Sequence, residues 1–132
     1  MSVLGWDYGT GNLVAARYKG ENIEISSIRN NYILISPEDL MISEVSNTNL
    51  DYIEIYENDK LKNIAIIGRD AFIFSNVFGK KVLRTMKSGV VSNDDMASLD
   101  VITGICKKLV GDDEQEKDLC VFSMPAECAD NP

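Results

Sequence analysis

Five residues near the N-terminus combine a carboxylate with a glycine-containing turn. Asp7 ends a short apolar stretch, and Gly9, Thr10, Gly11 and Asn12 follow it closely. Glycine permits close approach and unusual φ values, so several backbone N–H groups of such a turn can surround one phosphate. The Thr10 hydroxyl adds a donor, and Asp7 can hold a hydrated Mg²⁺ beside the phosphate. These residue types therefore predict binding of a phosphate group together with Mg²⁺.

The turn does not fit the two common glycine-rich phosphate-binding motifs. A Walker-type loop needs a Lys-Ser/Thr pair that opens a helix, and a Rossmann fingerprint needs a third glycine and a helix. Neither follows Asn12, because the next segment is predicted as a strand. A tight hairpin that needs two glycines and a turn-forming Asp would also account for the string. The residues alone leave the phosphate-binding and the structural interpretations open.

Composition and charge exclude several classes of protein. The chain has 132 residues, 45% of them apolar, which fits one domain with a modest core. The formal net charge of −8 argues against broad nucleic-acid binding, and no segment is long and apolar enough to cross a membrane. The cysteines are Cys106, Cys120 and Cys128, and the chain has no His, so a structural zinc site is not expected. Reduced thiols and the absence of a secretory signal predict a cytoplasmic protein.

The elements that must position the turn belong to an α/β pattern. Residues 3–8, 12–18 and 23–28 alternate as three strands of a meander, with Trp6 in the core. The remaining predicted elements are a short strand at 32–35, a short helix after Ser36-Pro37, a hairpin of 51–57 with 61–67, a helix at 68–78, an irregular or extended segment at 82–92, a helix at 94–110 and a buried strand at 119–124.

The helix at 94–110 has the strongest local signals. Ser92 or Asn93 is a candidate N-cap. Asp94 and Asp95 lie in the first turn, where their carboxylates are better explained by stabilisation of the helix dipole than by binding of a metal ion. The helix ends before Gly111, a typical residue after a helix C-terminus. The apolar stripe predicted to face the core consists of Met96, Leu99, Ile102, Cys106 and Leu109.

Four stretches together resemble the actin-like ATPase superfamily, which includes actins, heat-shock chaperone ATPases, sugar kinases and bacterial MreB-type actins. Residues 7–14 resemble its phosphate-1 motif, and residues 67–71 are similar to its VG-x-x-A helix start. Residues 82–91 are similar to the R-P-x-K-x-G-V-I segment of MreB, with Thr85 in place of the proline. Residues 121–126 resemble a strand that ends in V-P.

The resemblance implies a fold and a site. The fold would be a ribonuclease H-like mixed sheet with flanking helices, forming subdomain IA, with about residues 30–66 as the small inserted subdomain IB. The strand at 119–124 would pair in parallel with the first strand. Backbone amides of Gly9, Thr10, Gly11 and Asn12 would hold the phosphates of ATP, and Asp7 would orient the water shell of Mg²⁺. Glu127 would be a candidate for activating water.

The resemblance also implies what the chain lacks. The family's second phosphate loop, D-x-G-x-G-T, and its Gly-rich adenosine motif are absent from the 132 residues. We therefore expect the first half of a longer or split protein, without ATP turnover on its own. The whole protein would be a nucleotide-controlled ATPase, MreB-like with filaments or chaperone-like, or less readily a sugar kinase. The alternative is a non-catalytic protein–protein assembly module that binds itself or a second half-domain.

Overall fold

A computed structural model describes residues 3–42, 49–87, 90–92, 96–111 and 119–123. These residues form groups of strands that are separated by helices. The elements are β1 (Val3–Tyr8), β2 (Asn12–Lys19), β3 (Asn22–Arg29), β4 (Asn31–Ile35), α1 (Pro37–Ile42), β5 (Tyr52–Glu57), β6 (Lys60–Ile67), α2 (Gly68–Phe78), β7 (Leu83–Arg84), β8 (Met86–Lys87), β9 (Val90–Val91), α3 (Ser98–Val110) and β10 (Leu119–Ser123).

The first sheet carries the glycine-containing turn. Its strand order is β10-β1-β2-β3, with β1, β2 and β3 joined as an antiparallel meander. β10 pairs in parallel with β1, which places Phe122 beside Trp6 and Ser123 beside Asp7. The predicted meander and the predicted parallel pairing are both confirmed.

The second sheet contains the middle of the chain. Its order is β5-β6-β4-β7, and all of its pairs are antiparallel. Asn58 and Asp59 have positive φ at the turn between β5 and β6, as a tight hairpin requires. The first sheet is the mixed sheet predicted around the meander, and the remaining described strands form the second, antiparallel sheet and the small β8–β9 ladder. That about residues 30–66 form an inserted subdomain stays a prediction.

α3 packs between the two sheets and builds the main core. Val101, Ile102 and Ile105 of α3 cluster with Leu13 of the first sheet and with Ile67 of the second. Each side chain of this size that is removed from water contributes about 1.5–3 kcal/mol. On the far side of the second sheet, alternate residues of β4 and β6 pack against α2. Hydrophobic alternation along β4 and β6 therefore lets one sheet hold a helix on each face.

The first sheet has an inner and an outer face. On the inner face Leu4, Trp6 and Ala15 are buried beneath α3, so the prediction that Trp6 is a core residue is confirmed. Arg17 donates a hydrogen bond to the carbonyl of Val110 at 2.6 Å, where a cation complements the helix C-terminus. The interaction fixes the end of α3 over this sheet.

The start of α3 and its buried stripe differ from the sequence prediction. The helix begins at Ser98, and the residue before it, Ala97, makes no side-chain cap hydrogen bond. Met96 is 97% exposed and Leu99 is 61% exposed, whereas the buried positions are Ser98, Val101, Ile102 and Ile105. The stripe is rotated because Ser98 is held in the core by its hydrogen bond to the Tyr32 hydroxyl. Asn93, Asp94 and Asp95 lie outside the described residues.

β10 also differs from the prediction, since all five of its residues are exposed. The strand is apolar, as a buried strand would be, but it lies at the edge of the first sheet. The other local predictions agree well with the structure. The helix at Gly68–Phe78 has the predicted bounds, and Ser36 accepts a hydrogen bond from the Asp39 amide at the start of α1. Among the described residues, no helix has the length and apolar character needed to span a membrane.

Candidate phosphate-binding site

The bend between β1 and β2 lies at the surface and is closed by one main-chain hydrogen bond. The Gly9 amide donates to the Asn12 carbonyl at 3.0 Å. A Cβ atom on Gly9 would lie 2.6 Å from that carbonyl oxygen, so the close approach of the backbone at Gly9 to the backbone at Asn12 requires glycine. Neither Gly9 nor Gly11 has a positive φ, which corrects the expectation of unusual φ values at this turn.

A buried asparagine holds the bend from beneath. Asn30 is 1% exposed and donates through its backbone amide to the Gly11 carbonyl at 3.0 Å. Its side-chain Nδ2 donates to the Gly9 carbonyl at 3.1 Å. Both bonds draw carbonyl oxygens of the bend toward the protein interior.

Peptide geometry determines where the amides of the bend then point. In a trans peptide the C=O and the following N–H lie on opposite sides of the unit. Because the Gly9 carbonyl points inward, the Thr10 N–H points away from Asn30. Within the described part of the chain, the Thr10 and Gly11 amides have no hydrogen-bond partner. The bend therefore presents donors to solvent at the place where the sequence predicts a phosphate.

Asp7 and Ser123 lie beside the bend on the outer face of the first sheet. The Ser123 hydroxyl donates to Asp7 Oδ1 at 3.0 Å, and Asp7 is exposed. An open depression of about 410 Å³ adjoins this pair. It is lined by Gly5, Trp6, Asp7, Val14, Ala16, Val121, Phe122 and Ser123.

The residues present fit a phosphate and a hydrated magnesium ion. Backbone amides and the Thr10 hydroxyl are the donors that bind phosphate without a basic side chain. No three His, Cys, Asp or Glu side chains among the described residues cluster closely enough to hold a metal ion. Mg²⁺ beside Asp7 would accordingly take its ligands from phosphate oxygens and water, which is its usual behaviour, and Asp7 would hold it through that water.

Below the bend, one tyrosine and one cysteine have altered acidity. Burial is the main cause that raises the pKa of Tyr8, and the nearby Cys106 and Cys120 thiols raise it further. Burial also raises the pKa of Cys106, although its hydrogen bond with Tyr8 acts in the opposite direction. Both groups therefore remain neutral near pH 7, and neither adds charge beneath the candidate site.

The sequence pattern indicates the bend and Asp7 but not their supports. The structure brings together Gly9, Thr10, Gly11, Asn12 and Asp7, and their binding roles stay a prediction. The Gly9 amide, however, already donates to the Asn12 carbonyl, so it is not a free donor for phosphate. Glu127 lies outside the described residues. The supporting residues that sequence reasoning missed are Asn30, Thr85 and Ser123. Of these three, the sequence marks only Thr85, as the position where the similar segment has proline, and it gives no sign of its partner.

The geometry defines a mixed α/β protein with a donor-lined bend at the end of its first strand. The model of the Volactin family matches residues 1–132. The chain therefore belongs to the Volactin family.

The chain is also similar to a solved structure. No curated protein matches the chain. Among solved structures, the chain is similar to AlfA from the B. subtilis plasmid pLS32 in its filament structure at 3.4 Å, with a TM-score of 0.43 and 12% identity. The alignment covers 96% of this chain and 42% of the AlfA chain, so this chain spans less than half the length of AlfA.

Proposed function

We propose that the bend at residues 9–12 binds the terminal phosphates of a magnesium nucleotide, as the first half-site of an actin-like protein. The observation that carries the proposal is the inward anchoring of the Gly9 and Gly11 carbonyls by Asn30. The inward Gly9 carbonyl leaves the N–H of the next residue, Thr10, directed to solvent in the bend that follows Asp7. The motif resemblance in residues 7–14 supports the same assignment.

The proposed site uses main-chain donors because the surrounding charge is unfavourable to anions. The chain carries a net charge of −8, so an unscreened phosphate is repelled. A hydrogen bond from an amide to a charged oxygen contributes about 1.5–3 kcal/mol. Mg²⁺, when bound with the phosphates, neutralises part of their charge. Asp7 would hold its water shell, and the Thr10 hydroxyl would complete the donors.

Nucleotide binding is proposed for the whole protein and not for this chain alone. The adenosine motif and the second phosphate loop are absent from the sequence, so the chain offers phosphate contacts and no identified contact for the base. We propose that the whole protein binds ATP and that nucleotide state controls its assembly or domain closure, in a filament-forming or chaperone-like manner.

Calorimetric titration of Mg-ATP into the full-length protein tests the proposal. Asp7→Asn should abolish the Mg²⁺ dependence of binding, because it removes the charge that orients the metal's water shell. Asp39→Asn is the matched control, since Asp39 is an exposed acid on α1, outside the bend and the first sheet. Unchanged Mg-ATP affinity in Asp7→Asn would refute the proposed role of this residue.

A second candidate function, protein–protein assembly, is favoured by the outer face of the first sheet. Tyr18, Ile23, Ile25, Leu119 and Val121 are exposed there, with Ile25 68% and Val121 58% accessible. Contiguous apolar surface of more than a few hundred Å² is uncommon on monomeric proteins and marks interaction sites. No described element covers this face. The assembly role would use it without any nucleotide.

Sedimentation velocity separates the two candidates. If assembly is the function, the protein associates without nucleotide, and Ile25→Ser with Leu119→Ser makes it monomeric. If nucleotide binding is the function, the same double variant keeps its Mg-ATP affinity. Phe72→Ser serves as a control, because Phe72 is an exposed apolar residue of α2 and not of the first sheet.

A further inference from the structure

We propose that Thr85 and Asn30 act as a pair of positioning residues that set the direction of the Thr10 amide. This inference rests on the proposed function, because the Thr10 amide acts as a phosphate donor only if that function holds. The direction of the Thr10 N–H bond can be measured without any ligand. Asn30 lies directly beneath the bend, and Thr85 reaches it from a segment 55 residues further along the chain.

The Gly9 carbonyl determines the orientation of the Asn30 side-chain amide. Its Nδ2 faces the Gly9 carbonyl at 3.1 Å. If the amide were turned over, Oδ1 would face that carbonyl instead, and two acceptors would repel each other. The bend therefore accepts only one of the two orientations, and the other end of the amide, Oδ1, is left pointing into the protein.

The inward oxygen of the amide, Asn30 Oδ1, has a hydrogen-bond partner. The Thr85 hydroxyl donates a hydrogen bond to Asn30 Oδ1, and Thr85 is fully buried. A buried acceptor without a donor is unfavourable, and here Thr85 supplies the donor. The two bonds together hold the amide plane, so the Gly9 carbonyl stays inward and the Thr10 N–H stays outward.

A main-chain hydrogen bond holds Thr85 itself in place. The Ser92 amide donates to the Thr85 carbonyl at 2.7 Å, which closes the β8–β9 ladder directly beside it. Proline, which the similar segment has at this position, carries no hydroxyl and could not donate to Asn30. The departure at Thr85 thus coincides with a role that proline cannot perform.

The neighbouring Asn31 provides an internal comparison. It is also buried, and its Nδ2 donates to the Gly68 carbonyl at 2.8 Å, at the start of α2. Two adjacent asparagines therefore each hold one glycine carbonyl, but only Asn30 touches the bend at residues 9–12. Loss of the Asn31 side chain should weaken the fold without altering the bend.

Thr85→Val tests the pair, because valine keeps the shape of threonine and removes its hydroxyl. Residual dipolar couplings in the NMR spectrum of the chain report the direction of the Thr10 N–H bond. We expect that direction to change in Thr85→Val and to return in Thr85→Ser. We expect no change in Thr103→Val, whose hydroxyl bonds the Leu99 carbonyl on α3, or in Asn31→Ser.

Binding of Mg²⁺ with inorganic triphosphate to the full-length protein is the second readout. We expect Thr85→Val to lower the affinity about tenfold to a hundredfold, the loss of roughly one oriented donor to a charged oxygen. An unchanged Thr10 N–H direction in folded Thr85→Val overturns the positioning role. If the wild-type protein binds no triphosphate, the proposed function fails, while the NMR result still decides the positioning role. If Thr85→Val does not fold, Thr85→Cys replaces it, and an unchanged Thr10 direction there overturns the role equally.

Discussion

The Ser123 hydroxyl donates a hydrogen bond to Asp7 Oδ1 at 3.0 Å, although 116 residues separate the two in sequence. The parallel pairing of β10 with β1 places them side by side at the same end of the sheet. One oxygen of the candidate magnesium-orienting carboxylate is thus held, and the carboxylate lines the open depression on the outer face of the first sheet. The Asp7 carboxylate is therefore oriented by β10, the last strand of the described residues.

Removal of the Ser123 hydroxyl should have a small effect compared with removal of the Asp7 charge. Ser123→Ala leaves the carboxylate in place and deletes one exposed hydrogen bond, which contributes about 0.5–1.5 kcal/mol. We expect Mg-ATP affinity in the full-length protein to fall by about threefold or less, with its Mg²⁺ dependence kept. Titration at several Mg²⁺ concentrations measures both. Loss of the Mg²⁺ dependence in Ser123→Ala would show that Asp7 does not act alone.

Thr85→Val should destabilise the fold as well as change the bend. The substitution leaves Asn30 Oδ1 buried without a donor, which costs about 1–3 kcal/mol in the free energy of unfolding. Urea denaturation followed by circular dichroism measures the difference. Thr103→Val removes a hydroxyl that is exposed and bonds within its own helix, so its effect should stay within about 0.5 kcal/mol. Equal losses in the two variants would contradict the importance of the buried bond.

Gly104→Ala should reveal the tight contact between α3 and β5. Alanine favours a helix over glycine by about 1 kcal/mol, but a Cβ atom at this position would lie 2.6 Å from Ile53 Cδ1 and 2.8 Å from Cγ2. Overpacking of this kind typically costs about 1–3 kcal/mol, so we expect a net loss of stability. Ile53→Ala combined with Gly104→Ala should recover part of it. A stabilising effect of the single Gly104→Ala variant would show that Ile53 moves aside freely.

Cys106 should react with iodoacetamide more slowly than Cys120 at about pH 8, near the pKa of an ordinary thiol. Cys106 is half-buried and burial raises its pKa, so little thiolate forms, whereas Cys120 is exposed. Mass spectrometry of the labelled chain, in a Cys128→Ser background, gives the two rates. Faster labelling of Cys106 would contradict its burial beneath Tyr8.

The same raised pKa predicts a pH dependence of stability. Above the pKa of an ordinary thiol, about 8.5, the unfolded chain loses the Cys106 proton while the folded chain keeps it. The contribution of this group is complete below that pH and declines as the pH rises through the folded pKa. Wild type should therefore lose stability more steeply than Cys106→Ala above about pH 8.5. Parallel urea curves of the two proteins across this range would argue against the shift.

Local signals in the chain predict most of the individual elements and the position of the bend. The β1–β2–β3 meander, the β5–β6 hairpin, the bounds of α2 and the Ser36 cap all follow from residues within or next to each element. Alternation, turn residues and capping act over these short distances, so they are visible in the printed sequence. The closeness of Asp7 to Gly9 and Thr10 is equally local.

Long-range packing determines which polar groups meet and which apolar faces are covered. Asn30 with Thr85, and Asp7 with Ser123, are partners across 55 and 116 residues, and no local pattern indicates either pair. The position of α3 between two sheets, together with the Ser98–Tyr32 bond, rotates its buried stripe away from Met96 and Leu99. These features escape the sequence pattern because hydrogen bonds and burial depend on where distant segments pack, whereas turns and periodicity depend on neighbours in the chain.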